Sequence, residues 1–134
     1  MSGISLENRL AVHELIASYS YPVDNYRGED WADLFLEDGR LLGPDIHLQG
    51  RDAFVRKAQD LQAGSTEYRH CISNVVVESE STDERAQARA YGAVSDWATR
   101  PAVLSIFVEY RFELHNTAQG WKIAEMRVHM PYAD

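Results

Sequence analysis

Residues 103–114, VLSIFVEYRFEL, alternate: Leu104, Ile106, Val108, Tyr110 and Phe112 share one face, and Val103, Ser105, Phe107 and Glu109 the other. A period of two over this length predicts a strand with one buried face. NTAQG, residues 116–120, then turns the chain into WKIAEMRVHM, residues 121–130, which predicts an antiparallel hairpin. Upstream, RAQARAYGAVSDWA (residues 85–98) alternates small and polar side chains and reads as a further long strand, with a turn at Pro101. STDE, residues 81–84, separates it from a strand over residues 68–80 that begins YRHCISN and continues into Val75, Val76 and Val77.

The first half reads as helical. Ser5 is a candidate N-cap, followed by Leu6, Leu10, His13, Ile16 or Ala17, and Tyr19 or Ser20 at about 3.6-residue spacing. Pro22 should kink or end this helix, because it lacks the amide that would pair with the Ser18 carbonyl. A second helix is expected over EDWADLFLEDG, with Asp30 near its start and Gly39 as its stop. RLLGPDIHLQG should hold two short extended pieces around Gly43-Pro44. Asp52 is the expected cap of a third helix, Ala53 to Gln62, ended by Gly64-Ser65. Helices followed by long antiparallel strands predict an α+β domain with helices over one face of a curved sheet. Such a cone has an open mouth suited to a small-molecule pocket.

The 134 residues fit one domain, and 45% hydrophobic with 25% charged residues is ordinary globular composition. A net charge of −8 argues against nucleic acid and anionic membrane surfaces as partners, since both require clustered Lys and Arg. No apolar run is long enough to span a bilayer. The opening MSGISLENRL lacks the basic and apolar regions of a signal peptide, so a cytoplasmic location is expected. A lone Cys71 excludes an internal disulfide and a multi-cysteine zinc site, and the five histidines show neither H-x-H nor HExxH spacing. No metal or organic cofactor is expected.

Three stretches carry candidate chemistry. His70 falls on a largely apolar strand face with Tyr68, Ile72, Asn74 and Val76, as either a satisfied core-edge histidine or a functional one. Cys71 points the opposite way and is expected to be a small buried hydrophobe. ASYSYPVDNY places Tyr19, Tyr21 and Tyr26 around Asp24, and phenol hydroxyls beside a carboxylate could hold a substrate oxygen. Arg127 shares the alternation of Trp121, Ile123 and His129, so it should face inward and need a partner such as Asp24 or Glu125.

The succession IASYSYPVD, DWADLFLEDG, GRDAF, YRHCISNVVVE, ARAY and GWKIAEMRV resembles the SnoaL-like branch of the NTF2-like superfamily over nearly the whole chain. The resemblance implies a cone-shaped α+β barrel, with three N-terminal helices on a curved, mostly antiparallel sheet. Within the superfamily it looks most similar to the group of scytalone dehydratase, bile acid 7α-dehydratase and hexachlorocyclohexane dehydrochlorinase. Asp24 and His70 match that group's catalytic Asp–His pair, Tyr19 matches a catalytic tyrosine, and Arg127 approximately matches a last-strand arginine. Trp31, Tyr68 and Tyr91 are the expected substrate-binding residues. No histidine stands in RAYGAVSDW where scytalone dehydratase carries its second one. The implied activity is a cofactor-independent lyase or isomerase: proton abstraction, then elimination, on a small, apolar, cyclic substrate. The alternative is a non-catalytic cone, either a small-ligand binder or an accessory subunit like a ring-hydroxylating dioxygenase β-subunit. Phe107 on the outward strand face suggests a homodimer or homotrimer.

Overall fold

The computed structural model describes residues 3–131. Helix α1, Leu6–Ser18, begins as expected: the Ser5 side chain accepts a hydrogen bond from the Asn8 N–H at 3.1 Å. Its buried stripe is Val12 and Ile16, continued by Tyr19, whereas Leu6 and Leu10 face solvent. The helix breaks at Tyr19 and resumes as α2, Ser20–Asp24, with Pro22 inside it. Pro22 has no amide to offer the Ser18 carbonyl, and the break lies one turn before Asp24, where α2 ends.

Helix α3, Gly28–Asp33, is shorter than the sequence suggested. FLEDG does not continue it but opens strand β1, Phe35–Gly43, because Phe35 pairs with Ile123 in the last strand and the Ile123 N–H bonds the Leu34 carbonyl. Gly39 is therefore no helix stop. It sits in an irregularity between Phe35 and Arg40, where a Cβ would lie 2.8 Å from Phe35 Cβ and 2.9 Å from the Ile123 carbonyl oxygen. β1 forms the expected hairpin with β2, Ile46–Gln49. Helix α4, Arg51–Ala63, starts earlier than expected, capped by Gly50 at φ +82° rather than by Asp52, which lies in its first turn.

Strands β3 (Tyr68–Val77), β4 (Arg85–Asp96), β5 (Val103–Thr117) and β6 (Gly120–His129) complete a six-stranded sheet in the order β2-β1-β6-β5-β4-β3. Only the β1–β6 pairing is parallel. With α1 and α2 counted as one broken helix, three helices cover the sheet's inner face, which is the α+β architecture expected. The core runs from Phe54, whose ring lies 5.0 Å from that of Trp31 and 4.3 Å from that of Phe35, to Phe112, Leu114, Ile123 and Met126.

Bulges decide which side chains reach that face. An extra residue in one strand shifts the alternation by one and sends every later side chain to the other side. At Asn74 (φ +58°) β3 slips against β4, so Val75 and Val77 turn inward and Val76 is exposed, contrary to the uniform alternation. At Ser105 β5 slips against β4; at Ala124 β6 slips against β5. Cys71 lies exposed on the outer side of edge strand β3, not packed as expected.

Asp83, in the β3–β4 turn, ties down the start of α1. It accepts from the Ser5 N–H at 2.7 Å and from the Asn8 side-chain amide at 3.0 Å, and these bonds hold its carboxyl below the ordinary 3.8. A carboxyl lowered on folding stabilises the fold above its unfolded value, and loses that effect as pH falls through the folded value. Asp83→Ala should therefore lower the Tm at neutral pH. The gap from wild type should shrink once pH drops below 3.8, as thermal melts across an acid series would show.

Candidate active site

Asp24 is the last residue of α2, and His70 is the third residue of β3. β3 is a sheet edge, so every second backbone N–H points away from β4 with no strand to receive it. The His70 N–H is one of these, and Asp24 Oδ2 accepts from it at 2.9 Å. The other carboxylate oxygen, Oδ1, lies 2.6 Å from His70 Nδ1. One carboxylate thus holds both the backbone and the ring of the same residue. The Asp24 side chain is 6% exposed and that of His70 19%. An ionised carboxylate only accepts, so Nδ1 must carry the proton, and in the neutral ring Nε2 is left with a free lone pair.

His70 forms part of the wall of a cavity of about 360 Å³ between the helices and the concave face of the sheet. Tyr19, Trp31, Tyr68 and Tyr110 contribute aromatic surface to it, and Val23, Leu41, Val94 and Val108 contribute aliphatic surface. The Tyr19 ring meets those of His70, Trp31 and Tyr110 at 6.3–6.4 Å. Burial raises the Tyr19 pKa well above its usual 10.0, with the neighbouring Tyr110 and Asp24 adding to the effect. Burial, then Asp24, raises that of Tyr110 as well. Both phenols are therefore neutral hydrogen-bond donors at any ordinary pH. The Trp31 indole N–H lies close to the Tyr19 hydroxyl but outside hydrogen-bonding geometry, and it is buried without a partner.

The structure brings together Asp24, His70, Tyr19, Trp31 and Tyr68 as the sequence suggested. Of the three phenols near Asp24, only Tyr19 turns into the cavity: Tyr21 is 70% exposed, and the Tyr26 hydroxyl donates to the Thr66 carbonyl. Two expected residues are elsewhere. Arg127 lies beyond the Ala124 bulge, which turns it outward; its side chain is 58% exposed and pairs with Glu125 at 2.8 Å. Tyr91 alternates with the inward Ala90 and Gly92, so it faces out and packs on Phe107 with ring centroids 5.3 Å apart. A surface hollow of about 600 Å³ is on that outer face among Glu78, Arg89, Arg111, Glu113, Glu125 and Arg127. Arg89 pairs there with Glu78 and Arg127 with Glu125, Arg111 pairs with Glu109 beside it, and no member of the Asp24–His70 site reaches it.

Sequence reasoning missed three cavity residues with polar groups: Tyr110, Lys57 and Ser105. Tyr110 was visible only as one more large side chain on the inward face of β5. The hint was its hydroxyl among Ile106, Val108 and Phe112. Ser105 was assigned to the outer face, and the bulge at its own position places it at the cavity instead. Among the described residues, no three His, Cys, Asp or Glu side chains gather as a metal site, and no helix is long and apolar enough to cross a membrane.

The family model for the SnoaL-like domain matches residues 5–127. The chain belongs to the SnoaL-like family. Solved structures share its fold. A protein of unknown function from Mycobacterium tuberculosis is 25% identical, with a TM-score of 0.83 over 92% of this chain and 71% of that one. An NTF2-like protein with a cystatin-like fold from Novosphingobium aromaticivorans is 22% identical, with a TM-score of 0.83 over 96% and 85%. A protein from the same organism, provisionally assigned as a scytalone dehydratase, is 22% identical, with a TM-score of 0.75 over 92% and 87%. No curated protein sequence matches this chain.

Proposed function

We propose that this SnoaL-like protein is a lyase or isomerase in which His70 takes a proton from carbon in a small, apolar ring compound. The observation that carries the reading is the 2.6 Å contact between Asp24 Oδ1 and His70 Nδ1, with the ring on the wall of an apolar cavity. A carboxylate-held imidazole is a competent base near neutral pH, and the carboxylate stabilises the imidazolium formed. Nε2 removes a proton next to a carbonyl, and the electron pair moves toward the carbonyl oxygen. The neutral Tyr19 hydroxyl, and that of Tyr110 beside it, stabilise that oxygen as charge develops. For elimination, the pair returns to form the carbon–carbon double bond as the β C–O bond breaks, and the imidazolium gives its proton to the departing hydroxyl as water. For isomerisation, the same proton returns to a different carbon. The chain's residues balance both sequences without another reactant.

The first step is testable without the natural substrate. In D2O, NMR should show the protein exchanging the acidic C–H of ring ketones, led by 2-tetralone, faster than buffer alone. Tyr19→Phe should slow this exchange by about 10²-fold, the effect typical of losing one oxyanion donor. Exchange at the buffer rate across the whole panel would sink the reading.

A further inference from the structure

Helix α4 presents Phe54, Ala58 and Leu61 to the interior at positions i, i+4 and i+7. Lys57 stands between them on the same stripe, where an amphipathic helix ordinarily places an apolar residue. It is half-buried and forms part of the cavity wall with Val23, Leu41 and Ile46. Among the described residues, it has neither an ion-pair partner nor a hydrogen bond. Arg51, one end of the same helix, shows the ordinary alternative: it is paired with both Glu29 and Asp33. Lys57 is also the one lysine or arginine in the cavity wall. An ammonium beside apolar surface and short of water gains most from an anion brought to it.

We propose that Lys57 receives a carboxylate carried by the ring substrate, so that the cavity takes aromatic or alicyclic acids in preference to their neutral analogues. The inference rests on the reading of this cavity as a substrate site, but it does not depend on proton transfer by His70. It also gives a local reason for an acid to enter a chain of net charge −8, which repels anions elsewhere.

Calorimetric titration with 1-naphthylacetate and the isosteric 1-naphthylacetamide tests it at neutral pH and low salt. Wild type should bind the acid about 10-fold more tightly than the amide, as expected for one charge-assisted hydrogen bond. Lys57→Met should lose this preference while keeping its affinity for the amide, and Lys57→Arg should retain it. Added salt should erode it. His70→Ala should keep the preference, which separates binding by Lys57 from catalysis: an acid-selective protein without C–H exchange would sustain this proposal and remove the catalytic one. Equal binding of acid and amide by wild type, a preference that survives in Lys57→Met, or binding of neither probe would overturn it.

Discussion

Asp24→Asn should silence proton exchange as fully as His70→Ala, with the fold kept. The two substitutions act on different parts of one device. Alanine at position 70 removes the proposed base itself. Asparagine at position 24 keeps the shape but reverses the tautomer. Its single carbonyl oxygen is claimed by the His70 backbone N–H, which Asp24 Oδ2 now meets at 2.9 Å. The amide NH2 then faces Nδ1, where Oδ1 stood at 2.6 Å, so the ring must accept there and carry its proton on Nε2. A protonated Nε2 has no lone pair with which to take a proton from carbon. Each variant should therefore lose about 10²–10⁴-fold in C–H exchange, the usual scale of general-base catalysis.

The tautomer itself can be read without any substrate. Long-range ¹⁵N spectra of the imidazole should show the Nδ1–H form in wild type and the Nε2–H form in Asp24→Asn. Near-UV circular dichroism should be unchanged, and the loss of one charge-assisted hydrogen bond should cost about 1.5–3 kcal/mol of stability. Asp24→Asn retaining wild-type exchange while His70→Ala loses it would show that the carboxylate does not set the tautomer.

The two residues were marked separately by local chemistry, which left His70 either a core-edge or a functional histidine, and only the SnoaL-like resemblance joined them as a pair. Pro22 announces the helix break that ends on Asp24, and His70 opens a strand whose polar lead is otherwise hard to explain. Arg127, Ser105 and Val76 were misplaced for a common reason: period-two counting assumes an unbroken pleat. The Ala124 bulge exists only relative to Glu113 and Leu114 on the neighbouring strand, so no reading of β6 alone could locate it. The FLEDG segment failed similarly, since its strand state comes from pairing with Ile123, nearly ninety residues on. Lys57 and Tyr110 were missed because helix and strand patterns mark an inward position, and only the assembled cavity tells packing from lining.

Gly92→Ala should empty the site of its function by filling it. β4 turns Ala86, Ala88 and Ala90 inward opposite Leu114, Phe112 and Tyr110 of β5, small residues facing large ones, and then narrows to Gly92. The reason for a glycine there is Tyr110, whose ring lies across it: an added Cβ would stand 2.2 Å from Cε2 and 2.7 Å from Cζ. The backbone of a strand paired on both sides has little room to retreat, and Phe112 and Tyr19 flank the ring at 6.1 and 6.3 Å. The phenol can yield only toward the cavity of about 360 Å³. Overpacking of this kind costs about 1–3 kcal/mol, a loss visible as a lower Tm in a protein that still folds. The larger effect is on occupancy, because the displaced ring takes the space next to His70 that a substrate would use. Binding of 1-naphthylacetamide and exchange of 2-tetralone should both fall at least about 10-fold, a fall equivalent to about 1.4 kcal/mol. Tyr110→Ala in the Gly92→Ala background should be less destabilising than the two single changes added together, because the clash goes with the ring. Wild-type binding and melting in Gly92→Ala would mean that Tyr110 owes its position to something other than the missing methyl group.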